Sequence, residues 1–196
     1  MQLAHSRRSV RNLLTLAMAM MPLFGIANPV PEIIDDFSDE NLNQLGFPRM
    51  VIEDTAVGGK STYIQTVASG AISMKGDLVP PRGQPGWVSL VFPLSPDGSP
   101  VDLSAYEGVR LRIRGQQGML SLSVNSTEVV NYDYHAALLE AGGVKYSELK
   151  IPFKSLKRAW SEATSLNTQT IASISLTAVG IQPGAFAYEL GEIGFY

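Results

Sequence analysis

VRLRIRGQQGMLSLSVN, residues 109–125, decides the fold. Val109, Leu111 and Ile113 alternate with Arg110, Arg112 and Arg114; Leu120, Leu122 and Val124 alternate with Ser121, Ser123 and Asn125. Period two is the signature of a strand with one buried and one wetted face. The short link from Gly115 to Gly118 predicts a hairpin between the two strands.

The same pattern recurs along the chain. TYIQTVASG (62–70), ELKIPF (148–153), IASISLTAVGI (171–181) and FAYELGEIGFY (186–196) each read as strand, and so does IIDDF (33–37). Pro152 cannot donate to a ladder, so its strand belongs at a sheet edge or ends there. LVPPRGQPG (78–86) reads as a surface loop, and one short helical turn is expected between Ser155 and Glu162. Many short strands, 18 glycines and 12 prolines predict an all-β sandwich with little helix.

Residues 1–27 read as a secretory signal peptide. Arg7, Arg8 and Arg11 precede an apolar run that is shorter than a bilayer span, is broken by Pro22 and exits through Gly25-Ile26-Ala27. The expected location is periplasmic or secreted, with no membrane span after signal removal. The Arg7-Arg8 pair also suits twin-arginine export. Residues 28–196 then form one domain. Removing the signal takes three of the 15 basic residues and none of the 18 acids, so the remainder is acidic and a poor nucleic-acid binder. The chain has no cysteine, which excludes disulfides, thiolate zinc and a cysteine nucleophile.

AVGGKSTY (56–63) carries the last residues of a phosphate-binding loop. However, Asp54 stands where that loop needs its first glycine, and a strand pattern follows where it needs a helix. No nucleotide is expected. Gly58-Gly59 reads as a tight turn.

The stretch matches something else. An acid followed by Gly-Gly-x-Ser, in EDTAVGGKS (53–61), resembles a signature of the complex I intermediate-associated protein 30 family. IDDF (34–37), GDL (76–78), GW (86–87), DLSAYEGVRLRIRG (102–115), KIPF (150–153) and the closing FAYELGEIGFY follow in that family's order. The resemblance implies a galactose-binding-like jelly roll over residues 28–196, an architecture also used by many carbohydrate-binding modules. It also implies a protein-interaction or assembly role, because the family is best known for mitochondrial factors that help assemble respiratory complex I.

No catalytic constellation is expected. His135 is the only histidine outside the signal, there is no nucleophile elbow, and one imidazole cannot build a metal centre. His135 reads as a solvated strand residue. The acids Asp35, Asp36, Asp39, Glu40, Glu53, Asp54, Glu189 and Glu192 read as turn and surface groups rather than a glycosidase pair. A structural calcium ion is the one cofactor they would suit.

The expected ligand groove combines Arg110, Arg112 and Arg114 with Tyr132, Asp133, Tyr134 and His135 on a neighbouring strand, where Asp133 or Glu128 offsets the guanidiniums. Trp87 and Trp160 read as core anchors. Such a groove suits either an extended segment of an unidentified protein partner or a glycan of the cell envelope.

Overall fold

The computed structural model describes residues 30–140 and 143–196; residues 1–27, expected to be a signal peptide, lie outside them. Twelve strands follow in chain order: β1 (Ile33–Asp35), β2 (Met50–Glu53), β3 (Thr62–Ala68), β4 (Ala71–Leu78), β5 (Gly86–Pro93), β6 (Gly108–Gln117), β7 (Met119–Ser126), β8 (His135–Leu138), β9 (Ser147–Pro152), β10 (Lys157–Arg158), β11 (Ile171–Gly180) and β12 (Gly184–Phe195).

They form two antiparallel sheets. The first runs β3-β4-β12-β6-β9, with β1 added to β12; the second runs β10-β8-β7-β11-β5-β2. The chain crosses repeatedly between them, which gives a jelly-roll β-sandwich. The central strands turn their apolar rows inward. Val109, Leu111, Ile113, Leu190, Ile193 and Phe195 of the first sheet pack with Leu120, Leu122, Val124, Ile174, Leu176 and Phe92 of the second, all fully buried. Each such side chain contributes about 1.5–3 kcal/mol.

Two expectations need correction. β6 and β7 do not form a hairpin: β6 pairs with β12 and β9, whereas β7 pairs with β11 and β8. Their apolar rows face one another across the core instead of lying side by side. The link turns the corner at Gly118, whose φ of 80° suits glycine. The expected helical turn is also displaced. It is a short 3-10 turn at Phe153–Ser155, and Lys157–Arg158 is already strand. Pro152 does lie on an edge strand, β9.

The Gly-Gly-x-Ser stretch is structural. Asp54 opens a 3-10 turn, Asp54–Val57, that ends at Gly58 with φ 87°. The Asp54 side chain is fully buried and accepts bonds from Ser61 N (3.1 Å), Ser61 Oγ (2.7 Å) and Trp87 N (3.1 Å). Ser61 Oγ in turn accepts from Val79 N at 2.9 Å. A Cβ on Gly59 would lie 2.1 Å from the carboxylate. Acid, Gly-Gly-x-Ser and Gly-Trp thus meet around one carboxylate, and β3 follows directly.

Candidate ligand-binding face

Arg110, Arg112 and Arg114 stand on the outer face of the first sheet, as their alternation requires, but protein groups already engage each of them. Arg110 pairs with Glu32 (3.1 Å) and Glu192 (3.2 Å), and Arg114 with Glu189 (2.7 Å). Arg112 lies 4.4 Å from the Tyr146 ring centroid and donates to Gly191 O at 3.1 Å. A Cβ on Gly191 would come within 2.4 Å of that guanidinium. The Tyr146 hydroxyl donates to Glu189 and, with Arg114, holds its carboxyl below the usual carboxylate range. The stripe is a neutralised ladder.

The other four groove residues belong to the opposite sheet, so the expected groove does not exist as one surface. Tyr132, Asp133 and Tyr134 precede β8 in a loop in which Tyr132 takes a positive φ of 62°. Neither Asp133 nor Glu128 offsets the arginine stripe. Asp133 is buried and pairs with Arg158 at 2.9 Å, while Glu128 accepts from Asn167. His135 is not solvated. It is 2% exposed on the core side of β8, with Nε2 2.9 Å from Thr164 O.

Asp133 ties two loops together. Its carboxylate accepts from Tyr134 N, Ala159 N, Ser161 N, the Ser161 hydroxyl and Arg158 Nε. Burial raises its proton affinity, but the bonds from Ser161 and Arg158 outweigh burial and hold the carboxyl far below the carboxylate range. Arg158 also reaches Asn131 Oδ1 and Thr164 Oγ1. The braced loops present Tyr132, 94% exposed, and Trp160, 60% exposed. Trp160 is therefore no core anchor; it packs edge-on against Tyr134 with centroids 5.1 Å apart. Trp87 is half-buried on the outer side of β5, since its neighbour Val88 points into the core.

The outer face of the second sheet carries a different surface. Register places Leu138, Ser121, Thr177, Ser89 and Ile52 in one row across five strands. The next row is Ala136, Ser123, Ser175, Val91 and Met50, and Asn125 and Ser173 begin a third. Tyr134 precedes β8 on the side of Ala136 and Leu138, beside Asn125. The central strands β7, β11 and β5 put no charged side chain on this face. Ser123 and Ser175 point outward yet are only 5% and 3% exposed, so they form the bottom of a furrow. Its flanks are Met50 and Ile52 on one side and Leu138 with the Tyr134–Trp160 pair on the other, where Lys157 of β10 stands beside Ala136 at the rim.

The floor hydroxyls keep capacity for a ligand. Ser89 and Thr177 share a bond of 2.8 Å, and Asn125 Nδ2 donates to Ser173 Oγ at 2.9 Å. Each sharing hydroxyl retains an unused donor or lone pair. A hollow of about 340 Å³ lined by Met50, Val91, Pro93 and Ser173 continues the furrow at one end. The alternation of Ser173, Ser175 and Thr177 with Ile174, Leu176 and Ala178 was the available sequence signal.

Among the described residues no three acidic or imidazole side chains gather to hold a metal ion. Near the N-terminal acids, the oxygens that a hard cation would use surround an arginine instead. Arg49 donates to the Asp35 carboxylate and to the carbonyls of Asp39, Glu40 and Leu42. No helix among the described residues is long and apolar enough to cross a membrane.

The sequence pattern of the family described as Complex I intermediate-associated protein 30 matches residues 37–190. The chain belongs to that family. Within this complex I intermediate-associated protein 30 domain, the matched span begins just after β1, ends within β12 and takes in strands of both sheets. The search of curated proteins found no match. Among solved structures, the domain is similar to the family 11 carbohydrate-binding module of the cellulosomal cellulase Lic26A-Cel5E of Clostridium thermocellum. Identity is 16% and the TM-score 0.56, over 82% of this chain and 93% of the module. A family 11 carbohydrate-binding module from Clostridium thermocellum in complex with a β-1,3-1,4-mixed-linked tetrasaccharide aligns at 17% identity and a TM-score of 0.54, over 81% of this chain and 94% of the module. An agarase aligns at 10% identity and a TM-score of 0.56 over 84% of this chain, which spans 26% of the agarase. These likenesses establish a shared β-sandwich fold.

Proposed function

We propose that the protein is a non-catalytic binding module and that the serine-floored furrow of the second sheet takes a neutral glycan chain. The observation that carries this reading is the furrow's chemistry. An uncharged floor of hydroxyl and amide groups meets a polyol's hydrogen-bonding needs, and the braced aromatics at its end offer stacking faces. The tetrasaccharide complex of the clostridial module supports the reading to the extent that the same fold accommodates an oligosaccharide.

Titration calorimetry with neutral and charged polysaccharides tests it. A neutral glucan, such as a β-1,3-1,4-mixed-linked one, should bind, and acidic polysaccharides should not. Thr177→Arg, which sets a long cation across the floor, should weaken binding by about a hundredfold or more, and Tyr134→Ala by about tenfold. Arg112→Ala should leave it unchanged. Unchanged affinity in Thr177→Arg, or no binding across the neutral panel, would remove the glycan reading.

A second reading is a protein-assembly role, as the family suggests. Exposed Met50 and Ile52, side by side along the furrow's edge, favour it. A defined protein complex that Thr177→Arg disrupts, with no glycan bound, would select this reading.

A further inference from the structure

A sheet edge offers unpaired N–H and C=O groups to any passing strand, and most proteins blunt their edges. Among the described residues all but one of this sandwich's edge strands follow that rule, β1 among them with only three residues. β10 has two residues and β2 has four. β9 carries Glu148, Lys150 and Pro152. β3 is the exception. Its seven residues, Thr62–Ala68, contain no charge, proline or bulge, and six of the seven are exposed.

Geometry fixes which groups are free. Ala68 pairs with Ala71 across the two-residue turn Ser69-Gly70, whose φ values of 54° and 70° fit a primed hairpin turn. Ladder alternation from that closed pair gives Thr62, Ile64 and Thr66 their bonds to β4. The N–H and C=O groups of Tyr63, Gln65 and Val67 therefore point outward, and no partner meets them among the described residues.

We propose that this edge pairs antiparallel with the same edge of a second copy, about a two-fold axis at Gln65. The strand is self-complementary in that register. Tyr63 faces Val67, Ile64 faces Thr66, and Gln65 faces its own copy. Aromatic–β-branched and β-branched pairs of this kind stabilise sheets, and no like charges oppose one another. The free groups of Tyr63, Gln65 and Val67 become the bonded pairs. Ile64, 61% exposed, gains an apolar neighbour on the outer face. The first sheets of the two copies become one continuous sheet, while both furrows stay open on the other side. The contact is isologous and closed, so it ends at a dimer. One strand pair buries less than a standard interface, so the contact is expected to be weak and concentration-dependent.

Sedimentation equilibrium of the full chain from about 1 to about 200 µM tests this. A concentration-dependent dimer is expected. Ile64→Lys, which sets a lysine beside the axis on each copy, should raise the dissociation constant by about tenfold or more. Gln65→Pro removes an outward N–H at an edge position that tolerates proline, and should act likewise. Ile64→Lys combined with Thr66→Glu should restore the dimer, because residues 64 and 66 face each other only in this register. Circular dichroism confirms that each variant is folded. A monomer throughout the range, a dimer indifferent to both single substitutions, or a failed rescue would each overturn the proposal. A strand of another protein would then be the remaining occupant of the edge.

Discussion

Arg49→Ala is expected to lower the stability of the fold by about 3–5 kcal/mol, measured by chemical denaturation. The Arg49 and Asp35 side chains are 3% and 1% accessible, and Arg49 Nε lies 2.6 Å from Asp35 Oδ2. A second nitrogen, Nη2, reaches Asp35 Oδ1 at 2.8 Å. The same guanidinium donates to Glu40 O at 3.0 Å and to Asp39 O and Leu42 O at 2.9 Å, and it lies 5.0 Å from the Phe37 ring centroid. One planar cation therefore closes the 39–42 loop onto β1. Alanine would strand a buried carboxylate and three carbonyls together. The Asp35 carboxylate also accepts from Phe37 N, holding that residue at a φ of 58°. Arg49→Lys keeps the charge but not the forked donors, and should recover only part of the loss.

The second large effect is expected at Asp54. Asp54→Ala removes the acceptor for three donors, Ser61 N, Ser61 Oγ and Trp87 N, in a site without solvent. Each orphaned donor costs about 1–3 kcal/mol, so a loss of about 3 kcal/mol or more should appear in thermal and chemical unfolding. Gly59→Ala should be similarly damaging for a different reason. Its Cβ would meet the Asp54 carboxylate at 2.1 Å, and that carboxylate is pinned from three sides. Gly58→Ala strains only a positive φ, and nothing lies within 4 Å of its added Cβ. It should cost about 1 kcal/mol. A stability order with Gly58→Ala worse than Gly59→Ala would refute the close-approach explanation.

The sandwich was legible because burial writes itself into the sequence with period two. The alternations in β6 and β7 hold throughout, whereas register shifts after Ile171 in β11 and after Leu190 in β12 let the inward row change parity. Alternation says which face a residue takes, but not which strand lies beside it. That is why the link from Gly115 to Gly118 read as a hairpin although β6 and β7 belong to opposite sheets.

The candidate site was less legible. Arg110, Arg112 and Arg114 drew notice because charge stands out, while their partners Glu32, Glu189, Glu192 and Tyr146 are distant in sequence. Ser121, Ser123, Ser173, Ser175 and Thr177 stand out individually in no way. Only register brings β7 and β11 together and makes their hydroxyls one floor. Trp160 read as core because it is large; the Asp133 bonds to the loop around it, which turn it outward, join residues far apart in the chain.

Amide chemical-shift mapping during titration with a neutral glucan tests the central claim most directly. The largest changes should fall on Trp87–Phe92, Met119–Ser126 and Ser173–Val179, and on Tyr134 and Trp160. Changes centred on Arg110–Arg114 and Glu189–Glu192 would show that the other face holds the ligand.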